Sequence, residues 1–198
     1  MDISGEEMMV EEWDNWRSFS FEDGDILFVR NRRSLLGRVI RNALSDFDYE
    51  HVCQWFNGQV YTTGASGFPL YRFGKVSPEE YFKNKSITVG RYEGLSKTET
   101  DVMQNVAESL IGNAYPWWKL VALMVQGKLS SRVIKKVGFK NNRSPRFVFC
   151  AAAVAMGILS AGLPVTHKYA KTEPDAYTPR TLYDSSLIKI MARFQCDT

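Results

Sequence analysis

The chain has 198 residues, 44% of them hydrophobic and 24% charged, proportions that suit one packed domain and exclude a disordered or fibrous chain. Three widely spaced cysteines, at 53, 150 and 196, exclude a disulfide framework and point to reduced thiols. The formal charge of +3 hides an asymmetry: Asp2, Glu6, Glu7, Glu11, Glu12 and Asp14 make the start acidic, while Ser109 to Thr172 contains no Asp or Glu at all.

The first residues, MDISGEEMMVEEW, show neither a basic leader nor an apolar stretch, so a cytoplasmic location is expected, with a phage-borne or lysis-released origin as the route to an outside substrate. Residues 1–20 read as an acidic arm and 21–198 as the folded domain. Asp25 to Val29, after a Gly-Asp turn, reads as a buried strand. HVCQWF and QVYTTG flank Asn57-Gly58, the preferred two-residue hairpin turn. Counting outward, Phe56 faces Gln59 and Cys53 faces Thr62, which makes Thr62 the diagonal neighbour of His51 on one face. Ser77-Pro78-Glu79-Glu80 starts a short helix through Phe82. SITVG at 86–90 is another strand, and Ser96 with Glu99 forms a capping box ahead of a helix ending near Gly112.

PWWKLVALMVQ, from Pro116, is apolar nearly all round, and the stretch after it is basic through Arg146. The pair reads either as a helix packed in the core or as a surface for an anionic membrane or an acidic partner. FVF then leads into CAAAVAMGILSAG, a small-residue helix closed by Gly162 and Pro164. The remainder, to residue 198, has no clear pattern.

Two histidines, His51 and His167, with no HExxH and no CxxC pair, give no basis for a metal or cofactor. GASG at 64–67 lacks the Lys-Ser or Lys-Thr of a phosphate loop, and the basic stretch lacks the interleaved aromatics of a nucleic-acid reader, so nucleic acid is not an expected partner. Cys150 stands apart because it opens a helix, where unpaired N–H groups and the positive dipole end favour a thiolate and can hold an oxyanion. His51 opens a hairpin strand, where its ring can project from the sheet edge as a base, and Thr62 stands where a group orienting the imidazole belongs. Cys53, two residues along the strand from His51, reads as core. Cys150, His51 and Thr62 are therefore the expected catalytic residues.

In order along the chain, GDILF at 24–28, EHVCQWFNGQVYTTGASG at 50–67, VSPEEYF at 76–82, ITVGRY at 87–92, IGNAYPW at 111–117 and FVFCAAAVAMGI at 147–158 resemble the circularly permuted branch of the NlpC-type papain-like hydrolases. That branch includes YiiX-like proteins and relatives of lecithin–retinol acyltransferase, and the likeness spans about residues 22–163. The resemblance implies an α+β fold, an antiparallel sheet or partial barrel with the nucleophile helix packed against it. It implies a thiol hydrolase that cleaves an amide in a peptide, peptidoglycan stem or isopeptide through an acyl-thioenzyme. The alternatives are a lipid acyltransferase or thioesterase at membranes, and a catalytically weak binding module of the same fold. The chain departs from the pattern in two places: Thr62 or Thr63 stands where the family places Glu, His or another strong hydrogen-bonding side chain, and residues 118–146 are a basic insertion.

Overall fold

The computed structural model describes residues 11–13, 15–31, 48–65, 71–114, 149–166 and 177–196. His167, the apolar run from Pro116 and the basic insertion lie outside these residues.

The described residues form an α+β fold, with a seven-stranded sheet in the order β1-β7-β6-β2-β3-β4-β5. The strands are β1 (Glu11–Trp13), β2 (Ile26–Asn31), β3 (His51–Phe56), β4 (Gln59–Thr63), β5 (Phe73–Val76), β6 (Lys85–Tyr92) and β7 (Ile188–Cys196). Six of them, β2 to β7, pair antiparallel; β1 joins β7 in parallel at the edge. The helices are α1 (Pro78–Tyr81), α2 (Lys97–Leu110), α3 (Cys150–Ser160) and α4 (Pro179–Tyr183).

Side-chain alternation divides the interior into two cores. Ile26, Phe28, Val52, Phe56 and Tyr61 point to the face covered by α2 and α3, where they meet Met103, Leu110, Val154 and Ile158. Leu27, Val29, Cys53, Trp55 and Val60 point the other way, against Phe82, Ile87 and Phe194, with Trp16, Phe19 and Phe21 closing over them. Burial on both faces explains why β2 reads as an unbroken apolar run.

The turn between β3 and β4 has φ of 50° at Asn57 and 71° at Gly58, the left-handed pair that a two-residue hairpin requires. Phe56 pairs with Gln59 and Gln54 with Tyr61, the register counted from that turn. Ser77 caps α1 by accepting from Glu80 N–H, and Ser96 and Glu99 complete the capping box of α2. At the far end of β2, the buried Asp25 accepts from Arg91 Nε at 2.8 Å and Nη2 at 2.9 Å, tying β2 to β6.

Two elements go beyond the sequence reading. Residues 11–13 of the acidic arm pair with Ala192, Arg193 and Phe194 as β1. The C-terminal segment, left without a pattern above, is the long strand β7. A register shift between Val89 and Gly90 makes β7 change faces, so Ile188 lies in the first core and Ala192 and Phe194 in the second. That slip removes the alternation by which a strand is read.

Candidate functional site

The β3–β4 ladder runs only from the turn to Gln54 and Tyr61, and beyond it Thr62 and Thr63 pair with Gly74 and Phe73 of β5. His51, at the open end of this hairpin, is half-buried, and its Nε2 lies 2.8 Å from Thr62 Oγ1. The two side chains that the hairpin register makes diagonal neighbours are thus hydrogen-bonded. Thr62 is 1% exposed and its hydroxyl also lies 3.2 Å from both Tyr81 Oη and the Thr63 carbonyl.

Cys150 comes to the same end of the hairpin from the other side. It is the first residue of α3, whose N-cap position is Phe149, a residue with no oxygen to cap the first turn. Backbone amides act on the sulfur there: those of Val52 on β3, Ala151 and Cys150 each lower the pKa of the thiol. Val52 follows His51 directly, so the amide that acts on the thiol belongs to the strand residue next to the histidine. Ala151, Ala152, Ala153 and Gly157 are buried and let α3 lie close against the sheet. A Cβ on Gly157 would stand 3.3 Å from Gln54 Nε2.

The electrostatics favour the uncharged pair. Burial pushes the Cys150 thiol up; the three N–H groups oppose this and the Glu50 carboxylate adds to it. Burial also lowers His51 to about 4, aided by the cationic Lys85. The helix terminus alone therefore does not produce a resting thiolate, contrary to the expectation drawn from Cys150 opening a helix: loss of solvent outweighs the dipole and the hydrogen bonds.

Tyr81 and Lys85 are the contributions that sequence reasoning missed. Lys85 Nζ sits 3.7 Å from the centre of the Tyr81 ring and donates to the Tyr81 carbonyl. Burial lowers its own pKa. Tyr81 was visible only as part of a capped helix, and nothing local indicated that α1 delivers its hydroxyl to β4. Cys53, 2% exposed, belongs to the second core, donates to the Leu27 carbonyl at 3.7 Å and is raised by burial to about 12. Cys196 is half-buried at the end of β7, opposite Lys85. Among the described residues no helix is long and apolar enough to cross a membrane, and no group of three or more His, Cys, Asp or Glu side chains could hold a metal ion.

No family model matches the chain. No curated protein matches it either. Among solved structures it is similar to the metalloprotein yiiX from Escherichia coli O157:H7 (DUF1105), with a TM-score of 0.59 and 18% identity over 87% of this chain and 97% of that one. The chain therefore has a YiiX-like fold.

Proposed function

We propose that this chain is a thiol hydrolase of the circularly permuted papain-like kind, related in plan to the NlpC-type enzymes, with Cys150 as nucleophile and His51 as base. The observation that carries this reading is that Cys150 opens a helix with no side-chain cap while His51, on the strand that helix packs against, is held by Thr62 at 2.8 Å. An uncapped helix start favours an attacking sulfur and offers N–H groups to its oxyanion.

In the proposed reaction the Cys150 sulfur attacks an amide carbonyl carbon while the S–H proton passes to His51 Nδ1. The N–H groups of Cys150 and Ala151 hold the resulting oxyanion. The intermediate collapses by breaking the C–N bond, and the imidazolium gives its proton to the departing amine, leaving a thioester on Cys150. Water, deprotonated by His51, then attacks the thioester and releases the acid and the thiol. Starting from a neutral pair, His51 acts as a general base during attack, and the lowered pKa makes its imidazolium a ready donor to the departing amine. A peptide, peptidoglycan stem or isopeptide is the proposed substrate class. A lipid acyl group could be handled by the same pair, but the segment that favours a membrane lies outside the described residues. yiiX is described as a metalloprotein; among the described residues here no group of three or more His, Cys, Asp or Glu side chains could hold a metal ion, and no step of this proposal runs through one.

The test is labelling by a thiol-directed electrophile such as an epoxysuccinyl peptide, followed by peptide mapping. Modification at Cys150 in preference to Cys53 and Cys196, abolished in Cys150→Ala and reduced at least a hundredfold in His51→Ala, is expected. Equal modification of the three cysteines, or labelling of Cys150 that is indifferent to His51, would overturn the proposal.

A further inference from the structure

Lys85 is fixed behind His51 without a counter-ion. Helix α1 ends at Tyr81, and the chain turns at Asn84, whose φ of 58° lies in the left-handed region that asparagine tolerates. The Lys85 N–H donates to the Phe82 carbonyl at 3.1 Å and closes that turn. Its half-buried side chain then folds back over the turn, so that Nζ donates to the Tyr81 carbonyl and stands 3.7 Å from the centre of the Tyr81 ring. The hydroxyl of the same tyrosine lies 3.2 Å from Thr62 Oγ1, so Tyr81 joins the ammonium to the group that holds His51. An ammonium has three N–H donors. Among the described residues Lys85 has one hydrogen-bond acceptor, the Tyr81 carbonyl, and no carboxylate within 4.0 Å. Glu80 and Glu50 act on it only from beyond that distance, and Glu50 accepts the Asn31 N–H at 2.6 Å. Lysine is seldom drawn out of water without an anionic partner.

We infer that Lys85 is a specificity-determining residue, whose ammonium binds a carboxylate carried by the substrate close to the amide that Cys150 and His51 act on. The role in specificity rests on the hydrolase reading; the anion site itself does not. The ring and carbonyl of Tyr81 hold the ammonium in one place, and its remaining donors are what a carboxylate needs for charge-assisted hydrogen bonds. The substrate class narrows accordingly, to an amide in a peptide or peptide stem with an acidic side chain or a free chain terminus nearby. A seated carboxylate has a second effect. It offsets the cation that helps to hold His51 down, so the base gains basicity when the right substrate is bound and a proton has to be taken from Cys150.

The experiment pairs two alkylating probes on the full chain, bromoacetyl-β-alanine and its carboxamide, with longer homologues of both. At the chain length that reaches Lys85, the carboxylate should alkylate Cys150 about tenfold faster than the carboxamide. Each ratio is taken on one protein, so a change in the nucleophile cancels. Lys85→Arg should keep the preference, and Lys85→Met and Lys85→Gln should each abolish it. A second measurement needs no reaction: in Cys150→Ala, acetyl-β-alanine or its matching homologue should move the NMR titration of the His51 ring to higher pH. The carboxamide should not move it, and neither compound should move it once Lys85 is Met or Gln. A His51 titration that ignores the carboxylate overturns the inference, and so does a response or a rate preference that survives the loss of Lys85. If the titration responds while Cys150 takes up neither probe, the hydrolase reading falls and the anion site stands. If Cys150 is labelled equally by both probes at every length and the titration is unmoved, the anion site falls and the hydrolase reading stands.

Discussion

Lys85 is an unusual neighbour for a base. A cation beside an imidazole makes the ring harder to protonate, and Lys85 adds to the burial that already holds His51 near 4. Lys85→Met should raise the His51 pKa part of the way back toward 6.5, since burial remains. The acid limb of Cys150 alkylation should then move to higher pH, and an NMR titration of the His51 ring checks the same shift directly. Thr62→Val removes the acceptor for Nε2 but leaves the ring in place. It should slow alkylation less than His51→Ala does, because the hydroxyl orients the base and does not replace it. At this scale much of the site could be read in the sequence: the Asn57-Gly58 turn fixes the register, and the register puts Thr62 beside His51. Tyr81 and Lys85 could not be read, because they reach the site through tertiary packing of α1 and no spacing rule links them to it.

The helix α3 has two duties, presenting Cys150 and sealing the first core, and its small residues serve both. Gly157 is where this is tightest: a Cβ there would meet Gln54 Nε2 at 3.3 Å and the Met103 backbone at 3.6 Å. Gly157→Val should therefore destabilise the protein by about 1–3 kcal/mol, as overpacking does, despite valine's better helix propensity, with a lower denaturant midpoint as the measure. The same shift should slow Cys150 alkylation if the helix moves off β3. Helices and hairpin were legible because capping residues and turn chemistry are local. Strand β7 was not, since its inward-facing residues exchange faces at the bulge opposite Val89 and Gly90, and no single alternation describes it. Strand β1 was hidden for another reason: EEW carries no strand pattern, and its pairing depends on β7.

For the molecule as a whole, His51 makes stability depend on acid. Its pKa is about 4 when folded and about 6.5 when the ring is free, so between those values the unfolded chain binds more protons and stability rises with pH. The contribution is complete above pH 6.5 and is lost as pH falls to 4. Asp25, raised by burial despite its pairing with Arg91, works in the opposite sense, favouring the folded state where it is protonated. Between pH 7 and 4 the loss due to His51 should be on the order of 2 kcal/mol, and His51→Gln should remove it from urea unfolding curves measured across that range. Arg91→Met should be costly at neutral pH, about 3–5 kcal/mol, because it leaves the Asp25 carboxylate buried without its partner.

The parallel pairing of β1 with β7 sets an order of assembly. Glu11 to Trp13 can join the sheet only after residues 192–194 are in place beside β6, and those lie near the opposite end of the described chain. Strands β2 to β6 need no such wait, as all their pairings with one another fall within residues 26–92. During synthesis the half of the sheet that carries His51 and Thr62 can therefore form early, while one edge of β6 stays uncovered until β7 emerges. Contacts between such distant segments are slow to close, so the last step of refolding should be the docking of the two terminal strands.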